Sequence, residues 1–77
     1  MNIYLWEVDF EDGYSICIKS KKTPCVKSED MIGYLNGNSL MRKDISKFGK
    51  IVRADPISKE SAEKFYDMKN FSIWPIL

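Results

Sequence analysis

The sequence predicts an α+β domain: an N-terminal antiparallel β-hairpin, a third strand in the same small sheet, and two or three short helices packed on it. Three observations carry this reading. Two runs near the N-terminus alternate apolar and polar residues around a glycine turn. A third β-prone run lies near residue 51. The stretches between and after carry helix caps and apolar residues at helical spacing.

The hairpin comes first. Tyr4, Trp6, Val8 and Phe10 alternate with Leu5, Glu7 and Asp9, and Tyr14, Ile16 and Ile18 alternate with Ser15, Cys17 and Lys19. A two-residue Asp12-Gly13 turn would set Phe10 opposite Ser15 and mix the two faces. A three-residue loop, Glu11-Asp12-Gly13 with Gly13 left-handed, sets Phe10 opposite Tyr14, Val8 opposite Ile16 and Trp6 opposite Ile18. Only that register keeps one face apolar.

Lys19 to Lys27 is polar, lysine-rich and broken by Thr23-Pro24, so it reads as a loop or edge segment. Ser28 is expected to cap a helix over Glu29 to Asn36, with Met31, Ile32 and Leu35 inward and Gly37 closing it. A second helix from about Ser39 to Phe48 aligns Met41, Ile45 and Phe48, with Leu40 alongside, and ends at Gly49. Lys50 to Ile57 is the third strand, with Ile51 and Val52 its most β-prone members. Ser58 caps a last helix to about Lys69. There Ile57 and Ala62 sit at the hydrophobic-staple positions, and Ala62, Phe65 and Tyr66 form the inward stripe.

At 77 residues the chain is expected to be one domain, residues 1–77, with a folding stability of roughly 4–11 kcal/mol. It is 44% hydrophobic and 30% charged, a globular composition. No apolar run reaches the length of a membrane span and the N-terminus lacks a signal pattern, so a cytoplasmic location is expected, with no membrane contact.

The net charge of +1 hides an uneven distribution. Residues 1–18 carry four acids and no base; residues 19–53 carry nine bases and three acids, a net +6. The bases are Lys19, Lys21, Lys22, Lys27, Arg42, Lys43, Lys47, Lys50 and Arg53. If they converge they form a surface that displaces counterions from an anionic partner; otherwise they are a solubilising face. Tyr34 is the one aromatic residue that the sequence places near them. The apolar tail, Phe71, Ile73, Trp74, Ile76 and Leu77, is the second candidate contact. It either covers the second face of the sheet, where Ile3, Leu5 and Cys17 need cover, or serves through Trp74 as a partner-binding anchor or a dimer seam.

Reactive chemistry is sparse. The chain has no histidine, which removes the commonest general base and zinc ligand. Its two cysteines, Cys17 and Cys25, lie at no predicted helix N-terminus, and its four glycines make no phosphate loop. Glu7 with Asp9, and Glu60 with Glu63, are the carboxylate pairs able to hold a hard cation; solvated faces are the plainer reading of both. No enzyme activity, no cofactor and no metal site are therefore expected.

The run Tyr4-Leu5-Trp6-Glu7-Val8, then Asp12-Gly13-Tyr14 and the lysine-rich loop, and later Ile57-Ser58 with Glu60 and Ala62-Glu63-Lys64-Phe65, resembles small accessory proteins of bacteriophages and mobile elements. The resemblance implies a non-catalytic module that modulates a host component; anti-defence inhibitors such as anti-CRISPR proteins are one group of that kind. The absence of a strong acidic balance argues against nucleic-acid mimicry. The expected function is thus binding, and inhibition or modulation, of a host protein or nucleoprotein. Rival readings are direct DNA or RNA binding through residues 19–53, and a structural homo-oligomer.

Overall fold

The computed structural model describes residues 2–66. The element order is β1 (Tyr4–Phe10), β2 (Ser15–Ser20), α1 (Ser28–Asn36), a 3₁₀ turn (Ser39–Met41), α2 (Arg42–Phe48), β3 (Ile51–Pro56) and α3 (Lys59–Phe65). The sheet order is β2-β1-β3, with both neighbours antiparallel to β1. This is the small α+β architecture that the periodicity predicts.

The hairpin register is the expected one, with Val8 opposite Ile16 and Trp6 opposite Ile18. Gly13 has φ +95°, and the loop closes through Gly13 N–H to Phe10 O (3.0 Å) and Phe10 N–H to Tyr14 O (2.8 Å). A side chain at that φ would be strained, so glycine is required there. The core face of the sheet presents Trp6, Val8, Phe10, Ile16 and Ile18, and Met31, Leu35 and Met41 close over it. Trp6 is fully buried, and its indole N–H donates to Lys22 O (3.0 Å) as the lysine-rich loop leaves β2 for α1.

β3 breaks the alternation that strands obey. Asp9 pairs with Arg53, yet Phe10 pairs with Ile51, so Val52 is an extra residue at a β-bulge. Val52 is accordingly 54% exposed. The bulge lets Ile51 and Ala54, three apart, both enter the core while Arg53 and Asp55 turn to the opposite face. A regular strand would have carried Arg53 inward beside Ile51.

The outer edge of β3 is sealed at Ile51. The Asn36 side chain, at the end of α1, accepts from Ile51 N–H (2.9 Å) and donates to Ile51 O (3.0 Å), standing in for a neighbouring strand.

Several details differ from the sequence-based expectation. Ser28 does not cap α1; Lys27 holds that position, and the Ser28 hydroxyl donates to Asp55 Oδ1 (2.9 Å) instead. The second helix is split: Asn38 accepts from Leu40 N–H to start a 3₁₀ turn, α2 begins only at Arg42, and Leu40 is left 51% exposed. Ser58 does cap α3, accepting from Ser61 N–H (3.1 Å), and Ile57 and Ala62 share one apolar cluster, as the staple requires. The helix stops at Phe65, however, because Tyr66 is extended, and Phe65 is 73% exposed rather than part of the inward stripe. With Ala62, Tyr66 and Ile57, α3 covers Leu5 and Cys17 on the second face of the sheet. The tail residues Phe71, Ile73, Trp74, Ile76 and Leu77 lie outside the described residues.

Candidate functional site

The second face of the sheet gathers charge. Glu7 and Asp9 from β1 and Arg53 and Asp55 from β3 project there side by side, because each cross-strand pair shares a face. The Arg53 guanidinium pairs with Glu7, with Asp9 (Nε to Oδ2, 3.1 Å) and with Asp55 (Nε to Oδ2, 3.1 Å). The remaining carboxylate oxygens are also engaged. Ser15 Oγ donates to Asp9 Oδ1 (2.7 Å), Ser28 Oγ to Asp55 Oδ1 and Tyr66 Oη to Glu7 Oε2 (2.9 Å). One network thus joins β1, β2, β3, α1 and the end of α3.

Two groups beside this network hold their protons tightly. Burial, then the neighbouring Glu7 carboxylate, pushes the Cys17 thiol up to about 11. The Tyr66 hydroxyl also lies well above the usual phenol range, through burial first and then its hydrogen bond to Glu7. A thiol so placed is a poor nucleophile at neutral pH. Cys25 is exposed and, like Cys17, free. Among the described residues no group of three or more carboxylate or thiol side chains has metal-site geometry. The Glu7–Asp9 pair, expected as a candidate cation site, already surrounds a guanidinium. Glu60 and Glu63 line a depression of about 410 Å³ with Ser61 and Lys64, all from α3, so no second described element supplies ligands there.

The basic residues do not share one face. Lys19 and Arg53 fall on the α3 side of the sheet by strand alternation, and Arg53 is committed to the three carboxylates. Lys21, Lys22 and Lys27 line the loop between β2 and α1, and Arg42, Lys43 and Lys47 lie exposed on α2. Lys50 follows α2, and its backbone N–H donates to Glu11 Oε1 (2.8 Å). Lys43 and Lys47 stand four apart on the side of α2 away from Ile45, which packs on the core. Like charges at that spacing repel, and an anionic partner would relieve the cost.

Aromatic rings accompany these lysines: Tyr34, as the sequence suggests, and also Phe48 with Tyr14, which it does not. Lys22 Nζ lies 4.6 Å from the Tyr34 ring centroid, and Lys47 Nζ lies 5.2 Å from that of Phe48. Phe48 in turn stacks on Tyr14 at 4.0 Å, and Tyr14 remains 47% exposed. The hairpin tip is tied beneath them: Glu11 N–H donates to Lys50 O (2.9 Å) and Asp12 N–H to Phe48 O (3.2 Å). Gly49, at φ +93°, has Glu11 Cβ only 2.9 Å from where its own Cβ would stand. By alternation Tyr14 falls on the core face, and no local signal ties it to a residue 34 positions on.

Compared with known proteins, the chain matches no family model, no curated protein and no solved structure. The fold and these two surfaces therefore define its class: a small α+β protein with a β-hairpin, and, among the described residues, no helix long and apolar enough to cross a membrane.

Proposed function

We propose that this chain is a non-catalytic binding module: a small cytoplasmic accessory protein, of the phage type it resembles, that binds a host protein or nucleoprotein and inhibits or modulates it. The observation that carries this reading is the closed polar network around Arg53. In the densest cluster of ionisable groups described, the one cation is ion-paired with all three carboxylates and every carboxylate also accepts a hydrogen bond, and the nearby thiol is buried and protonated. What faces solvent with cationic charge to spare is the lysine-bearing surface of α2, backed by the Tyr14–Phe48 stack, and aromatic groups beside cations are typical anchors of protein contacts.

Affinity capture from the native host tests the reading. The wild type is expected to retain a partner that a Lys43→Glu/Lys47→Glu double variant loses; Trp74→Ala serves as the comparison for the tail. Turnover of any substrate, abolished by altering Glu7 or Cys17 alone, would overturn the reading.

Direct nucleic-acid binding is the second reading, favoured by the lysine–aromatic pairs at Tyr34 and Phe48, since bases stack on exposed rings while phosphates meet ammonium groups. Titration with a single-stranded oligonucleotide separates the two. A nucleic-acid binder loses about 0.7 log units of affinity per log unit of salt for each phosphate neutralised. No binding at low salt removes this reading.

A further inference from the structure

We propose that α3 is a detachable cover on the second face of the sheet, able to swing away while the rest of the domain stays folded, with the Tyr66–Glu7 hydrogen bond as its latch. The inference is independent of what the basic surface binds.

α3 has seven residues, well short of the roughly 12–15 at which an isolated helix becomes even marginally stable, so its helicity depends on docking. Its one buried residue is Ala62, the smallest of anchors, while Phe65 is 73% exposed. By contrast α1 buries both Met31 and Leu35 and is tied to β3 by the two Asn36 hydrogen bonds. The Ser58 cap is internal to the α3 segment and travels with it. Pairing with β1 ends at Ile57 N–H to Leu5 O (3.1 Å), so the hinge falls at Ile57–Ser58. Segments with little buried apolar surface open at the lowest free energies in a fold.

Beneath the cover lie Leu5, Cys17 and the Glu7 carboxylate. Opening frees Glu7 from Tyr66 and bares Leu5 and Cys17 to solvent. Cys17 reports the event. In the closed state its thiol is buried and keeps its proton, so alkylation at neutral pH proceeds through the open state.

The experiment follows alkylation of Cys17 by iodoacetamide in a Cys25→Ser background, which leaves one thiol in the chain. Labelling is expected to depend only weakly on urea, because little surface is exposed on opening. Tyr66→Phe, which removes the donor to a carboxylate, is expected to speed it about tenfold or more. Ile51→Val, on the opposite layer, should lower global stability and leave the labelling rate unchanged. Labelling that steepens with urea as global unfolding does and quickens with Ile51→Val would overturn the cover, since Cys17 would then react only through the unfolded chain. A Tyr66→Phe rate equal to the wild type would overturn the latch.

Discussion

On the face toward α1 and α2, β1 presents Trp6, Val8 and Phe10, while on the face toward α3 the same strand presents Leu5, Glu7 and Asp9. The first face is closed by large apolar side chains, Met31, Leu35 and Met41. The second is closed by Ala62 and by an ion-pair network whose cation, Arg53, is 52% exposed in its side chain. Burial of apolar area contributes roughly 25 cal/mol per Å², whereas half-exposed ion pairs contribute between about 0 and 1 kcal/mol. The difference teaches that stability resides in the α1/α2 layer, while the α3 layer sets geometry at small net free energy and so is the side free to move.

That contrast can be broken or sharpened by measurement. The largest effect is expected on the apolar side. Leu35→Ala should cost about 2–5 kcal/mol, a large share of the roughly 4–11 kcal/mol available to a chain of this size, read as a lower urea midpoint. A loss under about 1 kcal/mol would contradict the assignment of stability to that layer.

The next effect is alkaline and belongs to the α3 side. Folding raises the Cys17 pKa from 9.0 to about 11, so the folded state holds a proton that the unfolded state releases sooner. The stability this contributes is complete below pH 9 and is lost as pH rises toward 11. Tyr66, shifted in the same direction from an ordinary value of 10.0, extends the loss further upward. Denaturation midpoints across that window should therefore fall, and the fall should flatten in Cys17→Ala. Parallel profiles for the two proteins would remove the linkage.

The smallest effect is expected at Arg53. Arg53→Ala leaves Glu7, Asp9 and Asp55 facing one another, yet solvent screens them, so the loss should be about 1 kcal/mol or less at low salt. It should shrink further near about 1 M salt, where the Debye length is about 3 Å. A salt-independent loss of several kcal/mol would show that the network, and not the apolar layer, holds the sheet together.

The two layers also differed in how far they could be read in advance. Most of the apolar layer was visible as period-two alternation in β1 and β2 and as Met31 and Leu35 at helical spacing. The polar network is half visible: alternation puts Glu7, Asp9 and Ser15 on one face and helical spacing turns Tyr66 inward, but the sequence groups Arg53 with the basic residues and gives no sign that Asp55 and Ser28 join it. The reason lies in β3, where the bulge at Val52 reverses the inward and outward order of every residue after it. Alternation cannot report a bulge, because the extra residue is recognised only against its partner strand.

Local chemistry alone settled the hairpin register, the left-handed Gly13 and the Ser58 cap with its Ile57–Ala62 staple, since each involves neighbours a few residues apart whose geometry φ, ψ and periodicity dictate. The chain path decided the rest: the face Arg53 occupies, the Ser28–Asp55 bond in place of a cap, the Asn36 seal on Ile51 and the Tyr14–Phe48 stack. Arg53 meets Glu7 across 46 residues and Tyr66 meets it across 59. Contacts at such separation leave no trace in a local pattern, because they exist only after three strands have been paired and helices laid on both sides.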